Sequence, residues 1–454
     1  MNLSQKQSAT CPQTISVIGL GRLGAPFAAC LASKGYGVIA VDVDAEKVRR
    51  VNDGMAPVFE PGLEKLLQAH RQKLRATVSY EEAIANSDVT FILVPTPSDG
   101  QGAFSLRYVL EACEQIGTLL RAKTAFHTVV LTSTVLPGAT ENEVKPLLER
   151  SSGKRCRDGF GLSYSPEFVA LGSVIRDLLN PDFILIGESD PYAGEAVASV
   201  YRALCENEPP IARMNFVNAE ITKLSVNTFV TTKITFANLL ARICERLPGA
   251  NVDVVTSALG LDSRIGRKYL KGAVAYGGPC FPRDNAALAC LARIVGAPAT
   301  LAEATDAANR QEVQSLGELV RALLPKNGRV GILGLTYKPN TDVVEASQGL
   351  LLAQILLADS LSVVVYDPAG MENARNQLTG AVAFAKSAEE CIRFTDVLVL
   401  ATPWEEFANL SVKSWQRPGV PRTVIDCWRI LDRGIYNAVV NYIPLGIGGN
   451  VRDP

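Results

Sequence analysis

Histidine is almost missing from this sequence: only His70 and His127 occur in 454 residues. His70 lies in the polar stretch HRQK and reads as solvated surface, while His127 opens the apolar run HTVVLTS and reads as a satisfied strand-end residue. A histidine base is therefore not expected, and proton transfer falls to lysine, carboxylates or water. Long apolar runs are missing too. No window offers the roughly 18 uncharged apolar residues a spanning helix needs, so no membrane span is expected, and the polar start MNLSQKQSATCPQ lacks the apolar stretch of a signal peptide. Nor is there a surplus of charge. With 45 basic against 46 acidic side chains the net charge is −1, which gives no global reason to bind nucleic acid or an anionic membrane. The ten cysteines contain no C-x-x-C pair and no repeating spacing. That argues against a disulfide framework or a structural zinc site, leaves no metal centre expected, and favours a reducing, cytoplasmic setting. Cys30, Cys113, Cys244 and Cys290 sit in apolar runs and read as core residues.

What is present is the composition of a globular protein, 47% hydrophobic and 20% charged, too long for one hydrophobic core. Between residues 14 and 135 short β-branched runs (TISVIGLG, YGVIAVDVD, DVTFILVPTP, HTVVLTSTV) alternate with helical stretches such as 22–34. Runs of that length, apolar throughout, are what parallel strands buried on both faces require. DFILIGES at 182–189 adds a strand. Residues 217–247 then keep helical spacing without a proline until Leu247–Pro248, and further helical pattern follows over 250–270 and 284–324, broken at YGGPCFP. Beyond Pro325–Gly328 a second α/β unit begins with RVGILGL, SVVVYDP, DVLVLATP and RTVIDCW. The expected fold is α/β: two Rossmann-like doubly wound domains joined by a long central helix and a helical middle region. The expected bounds are 1–213 for a dinucleotide domain, 214–324 for the helical middle, and 325–454 for the second Rossmann-like domain.

GLGRLG at 19–24 follows the strand TISVI and opens a helix. Gly19 permits the tight turn, Gly21 lets backbone approach a pyrophosphate, and Gly24 lets helix and strand pack closely, with the helix N-terminus facing the phosphates. Asp42 ends the next strand, where a carboxylate accepts ribose hydroxyls and opposes a 2′-phosphate, so NAD is favoured over NADP. In YGGPCFPRD at 276–284, Cys280 lies on a Gly/Pro loop beside Arg283 and Asp284. That segment alone reads equally as an accessible thiol of lowered pKa or as a buried loop cysteine. Lys223 and Asn227, four apart on the long helical stretch, share a face and need partners if buried. They suit binding and polarising an alcohol, or a snorkelling lysine beside an amide.

Over nearly its whole length the chain resembles the UDP-glucose/GDP-mannose dehydrogenase family. The resemblance rests on VIGLGRLG, VDVD, FEPGLEKLL, PTP, STVLPG, SPEFVALGS, AEITKLSVN, RIGRKYLK, GGPCFPRD, GLTYKPNTD, YDP and ATPWEEF, in that order. It implies a four-electron, NAD-dependent oxidation of a nucleotide sugar at C6, of UDP-glucose or a related UDP-hexose, in polysaccharide biosynthesis. Cys280 matches the nucleophile that carries a thiohemiacetal and then a thioester. Lys223 matches the lysine that stabilises alkoxide charge, assisted by Asn227. Asp284 and Thr134 match residues that place the water or act as base, and Glu167 one that supports hydrolysis and sugar positioning. The resemblance puts NAD against Gly19, Gly21, Arg22, Leu23, Gly24, Asp42, Lys47, Pro95, Thr96 and Thr134. The sugar nucleotide falls to Glu167, Phe168, Val169, Leu171, Lys223, Asn227, Lys271, Tyr276, Gly277 and Lys338, with Arg264 reaching a neighbouring subunit, which implies at least a homodimer around the long helix.

Three positions depart from the family pattern. Pro279 stands where a serine is usual, Glu345 where TDDxRES has arginine, and Trp428 where the DGRN-type signature has a substrate-contacting arginine. Exchanging a cation for an anion near a pyrophosphate costs roughly 1 kcal/mol or more, whereas Trp428 can stack on a base or sugar. The pattern implies intact chemistry with an altered pocket, tuned to a sugar other than UDP-glucose. A two-electron β-hydroxyacid dehydrogenase would share the dinucleotide domain and the Lys/Asn pair but needs neither Cys280 nor a second α/β unit. A nucleotide-sugar-binding pseudoenzyme is the reading the two lost arginines favour. The number of NADH formed per sugar separates the three.

Overall fold

The computed structural model describes residues 12–417 and 419–449, which form two compact units divided between Ser225 and Val226, inside the helix Phe216–Glu245. Cys11 lies outside the described residues.

In the first unit the apolar runs become eight strands: β1 Thr14–Ile18, β2 Gly37–Val41, β3 Leu74–Thr77, β4 Val89–Ile92, β5 Thr128–Leu131, β6 Gly161–Tyr164, β7 Ile184–Glu188 and β8 Ile211–Met214. They line up as β3-β2-β1-β4-β5-β6-β7-β8, the chain reversing direction of travel at β1. Alternate side chains of β1 show why both sheet faces need cover. Ile15 and Val17 pack with Phe27 and Leu31 of the helix Gly24–Ser33, whereas Ile18 packs with Ile116, Val129 and Leu131 on the other face.

Neighbouring strands run parallel except β6 and β7, which pair antiparallel with Tyr164 opposite Gly187. The sequence pattern of buried runs does not distinguish this reversal. Its consequence is local: an antiparallel neighbour begins at the edge where its predecessor ended. The β6–β7 connection, containing SPEFVALGS, therefore stays at the carboxyl edge of the sheet, where ligands of open α/β sheets bind.

The second unit carries β9 Arg329–Leu333, β10 Ser362–Tyr366, β11 Val382–Phe384, β12 Val397–Leu400, β13 Thr423–Asp426 and β14 Asn441–Pro444. Their order is β11-β10-β9-β12-β13-β14, all parallel, the doubly wound arrangement. The helical pattern read over 250–270 condenses into a shorter helix, Val252–Leu259. After it Gly260, Asp262 and Gly266, the last at φ +71°, break the run into turns. Helices Phe281–Ile294 and Thr300–Leu323 follow, separated at Gly296–Pro298.

The two sheets use one packing device. A Cβ on Gly24 would lie 1.9 Å from the Gly19 carbonyl, and a Cβ on Gly349 would lie 1.9 Å from the Gly334 carbonyl. In both places the helix rests on the strand–helix turn at a distance only glycine allows. Gly349→Ala forces that helix off its turn and should destabilise the second unit by about 1–3 kcal/mol, the usual range for overpacking. Urea unfolding of the variant against the parent checks this; an unchanged midpoint would contradict it.

Candidate active site

The chemistry-bearing residues fall into two groups, one in each unit. In the first, Gly19 turns the chain at φ +104°, with room for no Cβ: one would sit 2.5 Å from the Leu93 carbonyl. Gly21 opens outward, where a Cβ would meet nothing, and Arg22 beside it is exposed. The helix that follows has Leu23 at its N-cap and no side-chain cap; Ala25 N donates to the Gly21 carbonyl at 3.2 Å and Pro26 has no N–H, so what the turn offers an anion is the positive end of the helix at Gly24. Asp42, just past β2, is fixed by the backbone: Oδ2 accepts from Leu20 N at 2.7 Å and Oδ1 from Asp44 N at 2.9 Å. Lys47 Nζ lies 3.8 Å from Asp42 Oδ2. Past β4, Pro95 is exposed and Thr96 buried, and Thr96 Oγ1 donates to the Thr134 carbonyl at 2.8 Å. Ser133 Oγ donates to Val94 O at 2.7 Å, so the loops after β4 and β5 are tied together. Glycines that alone fit the turn, an uncapped helix start and a held carboxylate past β2 fit a dinucleotide.

The β6–β7 connection is held from two sides. Glu60 Oε2 accepts from Gly172 N and Oε1 from Val174 N, each at 2.8 Å. Asp177 Oδ2 accepts from Ala170 N at 3.1 Å and from Ser173 Oγ at 2.9 Å. Glu167, Phe168 and Val169 just before these anchors, and Leu171 between them, are all half-buried. Lys223, on the first turns of the central helix, donates from Nζ to the Glu167 carbonyl at 2.7 Å and stands 4.5 Å from the centre of the Phe168 ring. The Glu167 carboxyl turns inward and accepts from the Tyr201 hydroxyl at 2.6 Å. Loss of hydration pushes its pKa up to about 7, against the opposing pull of the Tyr201 hydrogen bond and the Lys223 charge. One turn before Lys223, the fully buried Glu220 accepts from Gly138 N at 2.6 Å and Thr140 N at 2.9 Å, fastening the helix start to the STVLPG loop.

In the second unit Cys280 is exposed, whereas the other eight cysteines among the described residues are buried. That decides between the two readings of the loop: the thiol is accessible. It sits at the N-cap of Phe281–Ile294, at the positive end of that helix. Gly278, at φ +84°, donates from its N–H to the Glu345 carbonyl at 3.0 Å, and a Cβ there would lie 2.7 Å from the Tyr337 ring. A Cβ on Gly277 would meet the Ala346 carbonyl at 2.2 Å. Asn227 donates from Nδ2 to Asp284 Oδ2 at 2.6 Å, and Arg283 donates from Nε and Nη2 to Oδ1 at 3.1 Å. Asp284 is fully buried. Tyr276 is buried with its hydroxyl donating to Asp306 at 2.6 Å, Lys338 stands 5.9 Å from the Tyr337 ring centre, and Lys271 is exposed. Arg264 is 87% exposed, its guanidinium steadied by Asp262 at 2.6 Å.

The unusual positions acquire a setting. The Glu345 side chain is exposed while its carbonyl holds the cysteine loop. Trp428 is half-buried just past β13, its ring fixed by an Nε1–H donated to Ala401 O at 2.8 Å. Arg429 does not stand in for the missing arginine. Its guanidinium turns inward, to both Asp253 oxygens and to the Gly272, Cys427 and Leu445 carbonyls. Asp367 mirrors Asp42 but is closed off: Oδ2 accepts from Leu335 N, Thr336 N, Thr336 Oγ1 and Trp404 Nε1, and Oδ1 from Ala369 N and Gly370 N. No lone pair is left for a ribose.

Sequence reasoning passed over Glu60, Glu220, Asp177 and Tyr201. Glu60 lies in the quoted FEPG stretch, and its signal was an acid on a Pro/Gly turn; Tyr201 carried none, being one apolar position of an amphipathic helix. His127 is a satisfied interior residue, bonded to Thr90 Oγ1 at 2.7 Å and Ser87 O at 3.1 Å, and burial lowers its pKa to about 3. His70 is half-buried at a helix end rather than fully solvated.

Residues 13–205, 217–311 and 331–433 match, in order, the NAD binding, central and UDP binding domains of the UDP-glucose/GDP-mannose dehydrogenase family. The chain is 38% identical over 400 residues to UDP-glucose 6-dehydrogenase AglM of Haloferax volcanii, covering 87% of this chain and 92% of that protein. It is 34% identical over 414 residues to GDP-mannose 6-dehydrogenase of Pseudomonas aeruginosa, covering 88% and 94%. The structure of a UDP-glucose dehydrogenase from Pyrobaculum islandicum superposes with a TM-score of 0.87 at 32% identity, over 97% of this chain and 99% of that one.

Asp42→Ala should weaken NAD binding about tenfold, on the order of 1.5 kcal/mol for a charge-assisted hydrogen bond. NADP should lose less, because the carboxylate opposing its 2′-phosphate is gone. Fluorescence titration with NADH and NADPH measures both; equal losses would refute the assignment.

Proposed function

Because the chain belongs to the UDP-glucose/GDP-mannose dehydrogenase family, we propose that it converts the C6 alcohol of a UDP-hexose to a carboxylate, with Cys280 as covalent relay. The observation that carries this reading is the exposed Cys280 thiol at the head of a helix whose first turn holds Asp284 beside Asn227. Gly19, Gly21, Arg22, Leu23, Gly24, Asp42, Lys47, Pro95, Thr96 and Thr134 would hold NAD, which supplies the two-electron acceptor for both oxidations of a turnover.

The chain's own groups account for the other steps. Lys223, buried and so poorly screened by water, would place its ammonium where the alcohol becomes an alkoxide. The Cys280 sulfur adds to the aldehyde carbon, forming a C–S bond and retaining the aldehyde as a thiohemiacetal whose oxygen takes the proton. Oxidation of that adduct gives a thioester, and water then breaks the C–S bond, releasing the carboxylate and the thiol. Asp284, with Oδ2 taken by Asn227 and Oδ1 by Arg283, is held to orient the water. Glu167, with its pKa raised to about 7 by desolvation, is suited to take the water's proton near neutrality. Phe168, Val169, Leu171, Lys271, Tyr276, Gly277 and Lys338 complete the substrate site in this reading. Trp428 offers a flat, fixed ring where an arginine is usual, and this supports a pocket altered toward a hexose other than glucose.

A panel of UDP- and GDP-sugars tests the reading. Two NADH per uronate should appear with a UDP-hexose other than UDP-glucose, and Cys280→Ser should abolish acid formation. One NADH per sugar would point to a two-electron enzyme, none to a binding protein, and a clear preference for UDP-glucose would defeat the altered pocket.

The same reading makes the working form a cytoplasmic homodimer. Supporting it, Phe229 (66% exposed), Phe236 (48%), Leu239 (52%) and Ile243 (45%) form a seam along the central helix at the spacing of interhelical contacts. Arg264, exposed and steadied, would serve the neighbouring subunit. Phe236→Asp with Leu239→Asp should move the protein from dimer to monomer mass in light scattering; an unchanged mass would exclude this face as the interface.

A further inference from the structure

Tyr201 has no place in the chemistry above, yet its hydroxyl donates to the Glu167 carboxyl at 2.6 Å. The residue is 2% exposed on the helix Pro191–Leu204, its ring wedged edge-on against Phe91 and tilted against Phe27. A phenol at such depth must place its proton on an acceptor. Behind it stands Ser165, at the end of β6, whose Oγ lies 3.3 Å from the Tyr201 oxygen and 3.0 Å from the Leu185 carbonyl. The groups form a line: Glu167 carboxyl, Tyr201 hydroxyl, Ser165 hydroxyl, Leu185 carbonyl.

We propose that Tyr201 is a positioning residue for Glu167, and that the Tyr201–Ser165 line reverses its hydrogen bonds as that carboxyl gains and loses a proton. With Glu167 ionised, Tyr201 donates to it. With Glu167 protonated, the carboxyl donates to Tyr201, Tyr201 to Ser165, and Ser165 to the Leu185 carbonyl. Either way each hydroxyl proton has an acceptor, so the carboxyl changes charge away from water without stranding a polar group. No proton crosses the line to solvent; only the direction of the bonds changes. The proposal rests on the role given to Glu167 above, acceptance of a proton from the hydrolytic water.

The groups facing Glu167 are few. From the central helix comes Lys223, which lowers the carboxyl pKa; from the helix Gly24–Ser33 comes Cys30, and past the end of Pro191–Leu204 comes Cys205. Burial lifts both thiols to about 12, so they are neutral at working pH. Tyr201 is itself held well above its ordinary range and stays a donor. Desolvation sets the Glu167 pKa at about 7, and the Tyr201 bond is among the influences that keep it from rising further.

The signs follow. Tyr201→Phe removes a donor to the ionised form, so the Glu167 pKa rises and the ionised fraction at neutral pH falls. Ser165→Ala removes the acceptor that the protonated arrangement needs, so the pKa falls. A purely structural role would not move the two variants in opposite directions. The carboxyl is followed in infrared pH-difference spectra of the full chain, with Glu167→Gln identifying its band, alongside the pH profile of steady-state NADH formation. Tyr201→Phe, which keeps the ring, should move the titration and the acid limb of the profile up by about one unit, a tenfold change in protonation equilibrium. The steady-state rate near pH 7 should fall several-fold and recover at higher pH, with the first-turnover burst of NADH kept. An unmoved carboxyl band in Tyr201→Phe, or the same direction of movement in both variants, would overturn the proposal. If the band moves as stated but no nucleotide sugar yields NADH from the parent, the positioning of Glu167 stands and the reading of the reaction falls.

Discussion

A carboxylate removed from water has to be met by donors, and this requirement shapes the loops of both groups of site residues. Glu60 is met by two N–H groups of the β6–β7 connection, Glu220 by two of the STVLPG loop, Asp284 by Asn227 and Arg283, and Asp42 by the backbone of the glycine turn. Each loop is thereby set by a short bond of fixed direction rather than by apolar packing, which tolerates sliding. The loss of one such acceptor strands two donors, at roughly 1–3 kcal/mol each. Glycine turns, which have little packing of their own, are otherwise the least defined part of a doubly wound fold.

The same requirement separates acids that build from one whose pKa lies near neutrality. Glu60 and Glu220 spend both oxygens on backbone N–H groups, and Asp367 does so six times over with its surroundings. Glu167 is different: its neighbours are a phenol, a lysine engaged with its carbonyl, and neutral thiols. With so little to favour the charged form, its pKa rises to about 7, in the range where a group can both take and return a proton. The two sheets likewise repeat one design with different outcomes. Both pair a glycine turn with a helix glycine and an aspartate past the second strand, but only Asp42 keeps its face open, because Trp404 and Thr336 close the other.

Much of this was legible beforehand. Apolar runs of four or five residues, repeated with helices between them, specify parallel strands because only strands buried on both faces are apolar throughout. GLGRLG after a strand, with Asp42 past the next, specifies a dinucleotide turn because few other residues fit that backbone. Lys223 and Asn227 at one-turn spacing stand out because both are costly to bury without partners, whereas Cys280 on a Gly/Pro loop reads equally as accessible or buried until the fold places it. These features depend on neighbours in sequence, so sequence determines them.

What tertiary structure alone decided depends on residues far apart in the chain. The antiparallel joint of β6 and β7 is invisible in a run of buried residues, since either direction buries the same side chains. The loop that leaves Cys280 exposed is held from some sixty residues away, by the Glu345 carbonyl accepting from Gly278 N and by an approach of Ala346 and the Tyr337 ring that only glycine allows. Tyr201 looked like one more core aromatic, because a helix position says which face a ring is on but not what its hydroxyl meets. Arg429, adjacent to a missing arginine, could have replaced it in function; its left-handed backbone, at φ +57°, and five inward bonds exclude that. Local pattern fixes which elements form and which residues carry reactive atoms. The charge those atoms bear and the water they meet are set by partners that only folding brings within three ångströms.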